Sequence, residues 1–177
     1  MKNTILLIAV LAMTLTNSFE ITAQNFKGLD KSPMDVASFP NSYKISEKIV
    51  KVTYSRPQLK GRDIAKLAPP EKIWRTGANE ASEITFYKDV IFGGKALKAG
   101  TYSLFTIPSE EGDWTIIINN ARNVWGSYYY KPEQDVIRVS GKVSEAKENI
   151  EAFSMMFDKN MTLKMGWGKT VISVPIK

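Results

Sequence analysis

From Lys48 onward, apolar residues recur at every second position in short runs, and turn residues cut these runs about every 8 to 14 residues. This punctuation constrains the fold more than any other feature of the chain. A period of two turns alternate side chains to opposite faces of a strand, and no apolar stripe with helical spacing extends beyond about two turns. Val50, Val52 and Tyr54 alternate with Lys51, Thr53 and Ser55 until Arg56-Pro57, where proline has no N–H to give to a ladder. Strands are expected again at 83–87 and 90–92. There Gly93-Gly94 suits a two-residue hairpin turn into 95–97, because both positions tolerate positive φ. Ala99-Gly100 and Glu111-Gly112-Asp113 lead into 101–108 and 114–119, and further runs lie at 135–143, 150–157, 161–167 and 171–176. Residues 144–149 read as one helical turn. The expectation is an all-β chain: a single antiparallel β-sandwich or jelly-roll-like domain of about eight to nine strands with one long irregular loop.

Two of these runs are apolar on both faces. Tyr102 and Leu104 lie on one side and Phe105 and Ile107 on the other, and Ile116 and Ile118 oppose Ile117. Such strands belong at the centre of a sandwich or beneath a covering loop.

The N-terminus reads differently. Lys2 precedes an apolar run over 5–15, and the small-residue site Ile21-Thr22-Ala23 follows, the pattern of a secretory signal peptide cleaved after Ala23. The run, about eleven residues, falls well short of the roughly 20 needed to cross a bilayer, so no transmembrane segment is expected. Residues 24–47, with Gly28, Pro33 and Pro40, read as an extended arm, and 48–177 as the domain. The expected location is periplasmic or secreted.

Composition narrows the chemistry. The 177 residues include no cysteine and no histidine, which excludes disulfides, thiolate nucleophiles, a lipid-anchored cysteine and any imidazole base or ligand. No Asp-rich calcium loop and no cofactor motif is present. The net charge of +6 comes from scattered lysines rather than a basic helix or tail, so nucleic acid is not an expected partner. Met155, Met156, Met161 and Met165 read as adaptable core.

The connection over 57–81 is too long and too irregular for a compact domain unless it has a task. One or two helical turns are expected near Asp63 to Leu67, ended by Pro69-Pro70. Several of its residues also carry a resemblance. Tyr54-Ser55-Arg56-Pro57 with Lys60-Gly61-Arg62, the run Trp74-Arg75-Thr76-Gly77-Ala78-Asn79-Glu80-Ala81, the run 99–108, Trp114-Thr115-Ile116-Ile117 and the terminal Val174-Pro175-Ile176 resemble an exported bacterial family known as domain of unknown function 2911. The resemblance extends over about 29–177. It implies export, one domain and a mainly β fold, and it brings no catalytic residue with it.

Three readings of the polar and aromatic residues stand side by side. Arg56, Arg62 and Arg75, beside Trp74, Asn79 and Glu80, suit a glycan or small anionic ligand, since guanidinium groups grip carboxylates and phosphates in a planar fork. Trp125 and Tyr128, in the turn-rich run that continues through Tyr129 and Tyr130, would add rings on which sugar faces stack. The second reading makes the same arginines a clamp that pairs with Asp63, Glu71 and Glu80 and holds the long loop to the sheet, in a structural or partner-binding envelope protein. The third is a carboxylate-dependent hydrolase centred on Glu80, which requires a second acid within about 10 Å.

Overall fold

The computed structural model describes residues 26–177, and the expected signal peptide, 1–23, lies outside the described residues. Residues 26–30 carry neither helix nor strand. The remainder, 31–177, forms one unit containing nine strands: β1 (Met34–Phe39), β2 (Val50–Ser55), β3 (Ser82–Phe86), β4 (Val90–Phe92), β5 (Lys95–Leu97), β6 (Gly100–Ile107), β7 (Trp114–Asn119), β8 (Asp135–Phe157) and β9 (Leu163–Val174). The fold is all-β and sandwich-like. Seven strands make one curled antiparallel sheet in the order β1-β2-β3-β6-β7-β8-β9, and β4 and β5 form a separate hairpin. The first strand lies within the segment expected as an arm, and Met34–Phe39 pairs along β2 from Met34↔Ser55 to Phe39↔Val50.

The curl comes from β8. Its first part pairs with β7 through Trp114↔Gly141 and its neighbours, and its last part pairs with β9 from Ser154↔Gly166 to Phe157↔Leu163. Between these, residues 144–149 run on as strand instead of forming the expected helical turn, with pairing to β9 shifted between Glu145 and Ile150. Their helix propensity amounts to a few tenths of a kcal/mol per residue, which the ladder bonds made on either side outweigh. The far end of β8 then meets the chain just beyond β2. Leu59 N–H donates to the Glu151 carbonyl at 3.0 Å, and Phe153 N–H to that of Pro57 at 2.9 Å. Arg56 rivets this closure, donating from Nε to the Phe153 carbonyl at 3.1 Å, from Nη2 to Ser154 Oγ at 2.8 Å and from Nη1 to Asp35 of β1 at 3.1 Å.

Inside the curl, the inward residues of every large strand make one core with Trp74, Trp114 and Trp167 at its centre. Trp74 stacks on Trp167 at 5.4 Å between centroids and meets Phe153 and Trp114 edge-on at 5.0 and 6.3 Å. The two double-faced strands behave as their sequence demands. Tyr102, Leu104, Ile116 and Ile118 enter this core, whereas Phe105 and Ile117 head a second, smaller cluster on the outer face, covered by Ile73, Val124 and Tyr130. Met155 and Met165 are core residues, and Met156, one position out of phase, is exposed. The short helix α1 (Ile64–Leu67) starts where Asp63 caps the Ala65 N–H at 3.0 Å, just ahead of Pro69-Pro70. The Gly93-Gly94 turn has φ of 55° and 87° and joins β4 to β5 as expected. Beyond the hairpin, Ile91 and Lys177 exchange backbone hydrogen bonds at 2.7 and 2.9 Å.

Candidate functional site

The outer cluster exists because two irregular segments lie over β6 and β7, and these segments also carry the exposed polar and aromatic groups. The first follows Trp74, whose backbone pairs with Thr106 of β6 before the chain departs and returns at Ser82, paired with Leu104. This seven-residue excursion turns sharply at Thr76 (φ 55°) and Asn79 (φ 59°). Asparagine accepts that conformation readily. A buried β-branched threonine does not, and it is held there by its surroundings. Ser82 Oγ donates to the Thr76 carbonyl at 2.6 Å, and Gly77 leaves no room beside Ser55, whose carbonyl would stand 3.1 Å from an added Cβ.

The second segment runs from Asn120 to Lys131 and is fastened at its base. Buried Asn119 donates from Nδ2 to the Lys131 carbonyl and to Asp135 Oδ1 and accepts from Ala121 N–H. Tyr130, packed edge-on against Phe105, donates its hydroxyl hydrogen to Asp135 Oδ2 at 2.7 Å and accepts from Arg138 Nη2 at 2.8 Å. Burial, followed by the hydrogen bond to Asp135 and that residue's negative charge, pushes the Tyr130 hydroxyl up to about 12. Free tyrosine ionises near 10. Between about pH 10 and pH 12 the unfolded chain therefore loses this proton first, and the stabilisation present below pH 10 drains away as the pH rises through that window. Denaturation midpoints measured from pH 9 to 12 should fall less steeply in Tyr130→Phe than in the wild type.

The two segments join each other. Ala81 N–H donates to the Val124 carbonyl and Gly126 N–H to that of Asn79, both at 2.9 Å, which makes Glu80 and Trp125 a directly opposed pair. Because the hydrogen bonds flank this pair rather than join it, its side chains stand on the same face at the closest spacing an antiparallel ribbon allows. Glu80 is exposed and Trp125 is 55% exposed. Below Glu80 opens a cleft of about 280 Å³ lined by Met34, Thr53, Glu80, Ala81, Glu83 and Asn123. Glu83 stands on the outward face of β3 and accepts the Asn123 N–H at 2.7 Å.

The residues expected at a site thus divide. Arg75, Asn79, Glu80, Trp125 and Tyr128 come together on the two joined segments. Arg56 is spent on the β8 closure, and Arg62 donates to the Leu59 and Gln58 carbonyls at 2.9 and 2.7 Å. Trp74 is 6% exposed, at the centre of the core. The clamp foreseen between these arginines and Asp63, Glu71 or Glu80 takes another form: the ion pair made is Arg56 with Asp35, and backbone bonds hold the loops together. Tyr128 and Tyr129 show their rings to solvent, at 77% and 73% exposure. Glu83, Asn123, Met34 and Thr53 were not foreseen as neighbours. Period-two parity puts Glu83 opposite inward Ile84 and was the available signal for it; nothing local announces the others.

Among the described residues no group of three or more acidic side chains is placed to hold a metal ion, and no helix is long and apolar enough to cross a membrane. A family model described as "Protein of unknown function (DUF2911)" matches residues 32–176. Comparison with curated proteins and with solved structures gave no match.

Proposed function

The chain belongs to the DUF2911 family of proteins of unknown function, and from that premise we propose that this member is a glycan-binding domain whose platform is the Trp125–Glu80 pair. The observation that carries the reading is that pairing: an exposed indole face held directly across from an exposed carboxylate, at the mouth of a cleft. A sugar ring offers an apolar C–H face to an aromatic plane and hydroxyl donors at its rim, and a carboxylate accepts two of those in one bidentate contact. Asn123 and Glu83 add amide and carboxylate groups around the same opening. The leader proposed at 1–23 would deliver such a domain to the periplasm or beyond the cell, where glycans are met.

The molecule has a built-in reporter. Of its four tryptophans, Trp74, Trp114 and Trp167 are buried and Trp125 is exposed. A bound sugar should therefore shift Trp125 emission to the blue and protect it from acrylamide, and Trp125→Phe should remove most of the signal. Trp125→Ala should weaken binding at least about tenfold, or about 1.4 kcal/mol, with no change in fold. A panel of oligosaccharides that gives no saturable change would overturn the reading. Glu80 and Glu83 share one cleft, which favours glycoside hydrolysis as a second reading. It requires release of reducing ends by the wild type and loss of that release, with retained binding, in Glu80→Gln.

A further inference from the structure

The Arg75 side chain has no polar partner, although its backbone carbonyl accepts the Ser82 N–H at 3.1 Å. Its guanidinium makes neither an ion pair nor a side-chain hydrogen bond among the described residues, and its Nε is sealed from solvent with no acceptor. Arg56, Arg62 and Arg138, in contrast, are each committed to carbonyls, hydroxyls or carboxylates. An N–H of a charged group left buried and unpaired is destabilising, and a native fold that retains one calls for a reason.

The surroundings of Arg75 supply the reason. It stands at the start of the excursion that carries Asn79 and Glu80, and its Nη1 lies against Gly126, the residue after Trp125. A Cβ added at Gly126 would come within 3.1 Å of Nη1 and 2.8 Å of the Tyr128 ring. The guanidinium and the ring therefore close side by side over Gly126, where this contact and a φ of 65° both disfavour any larger residue. A planar cation next to a ring that is mostly exposed suits a ligand with a flat anion attached to a saturated ring. A carboxylate matches the planar fork of the guanidinium, and the second segment adds two further cations, Arg122 and Lys131.

We infer that Arg75 and Tyr128 form an anion-reading subsite next to the Trp125 platform, and that the ligand class is a glycan carrying carboxylates, a polyuronate. This rests on the carbohydrate reading of the platform and adds the sign of the ligand's charge. Arg75 forks the uronate carboxylate, Tyr128 covers the same or the next ring, and Trp125 with Glu80 holds a neighbouring residue through its face and hydroxyls.

A matched pair of probes tests it: an oligogalacturonate and the same oligomer fully methyl-esterified, titrated into wild type, Arg75→Gln, Arg75→Lys and Trp125→Ala. The wild type should prefer the free acid at least tenfold. Arg75→Gln should weaken the acid far more than the ester and so erase that preference, and Arg75→Lys should keep part of it. The free acid alone should move the slowly exchanging Arg75 Nε–H resonance. Arg75→Gln should melt at or above the wild-type temperature, since it removes an unpaired charge; a marked fall would return Arg75 to a structural role. Equal affinity for acid and ester, or a preference that survives Arg75→Gln, overturns the subsite and leaves the Trp125 platform standing. Failure of both probes and of the neutral panel overturns both.

Discussion

Trp74→Ala is expected to cost about 3–5 kcal/mol of folding stability, the range for removing a buried tryptophan whose surroundings close only partly over the gap. The ring is 6% exposed and contacts Trp167, Phe153 and Trp114, so its loss strips one side from each of three other aromatic groups. The backbone bonds between residue 74 and Thr106 need no side chain and should survive, so the result is a cavity and not a displaced loop. At about 2–4 °C per kcal/mol for a domain of this size, the melting temperature should drop by more than about 6 °C. Trp74→Phe should recover part of the loss. A change below about 1 kcal/mol would mean that Trp74 does not sit in a close-packed cluster.

The second large effect concerns the Gly93-Gly94 turn. Gly93→Ala meets two penalties together: φ is 55°, and the new Cβ would lie 2.7 Å from two carbons of the Val139 side chain on β8. Gly94 has φ of 87° but open space around it, so Gly94→Ala bears the conformational cost alone, about 1 kcal/mol. Gly93→Ala should cost about 2–4 kcal/mol, the excess over Gly94→Ala being the steric part. Val139→Ala in the same chain should return some of that excess, and denaturant titration of the wild type, Gly93→Ala, Val139→Ala and the double variant would measure the coupling. Equal effects of Gly93→Ala and Gly94→Ala would show that the hairpin moves away from Val139 at little cost.

That hairpin was legible from two adjacent glycines because a turn of positive φ is a local property. The double-faced strands were legible too: Phe105 and Ile117 fall out of phase with the core residues around them, and only a second apolar layer accommodates that. Local reading failed where distant partners decide. Residues 144–149 look helical alone and become strand because β9 pairs with Ser144 and Glu145 and again from Ile150 onward. Arg56 reads as a ligand group until the Phe153 carbonyl and Asp35, remote in sequence, are placed around it. Trp74 and Trp125 are the same residue type on two irregular segments. Nothing local shows that the first turns inward and the second outward, because the strand parity that would tell them apart lapses in both places.

The closure between β8 and the chain after β2 gives the molecule a line of parting. Neighbouring strands of the large sheet share ladders of four or more paired residues. Here two backbone bonds, those of Leu59 and Phe153, with side-chain bonds made by Arg56, Tyr54 and Glu151, join residues roughly a hundred positions apart. A join between segments so far apart must first meet the entropy of closing the intervening loop, so it is expected to form late and to open early. The curled sheet is therefore expected to open along this edge, seen as faster hydrogen exchange at the Leu59 and Phe153 amides than at those of β6 and β7. The paired segments that carry Trp125 and Glu80 are anchored to β6, β7 and the base of β8 and hold their shape while it does.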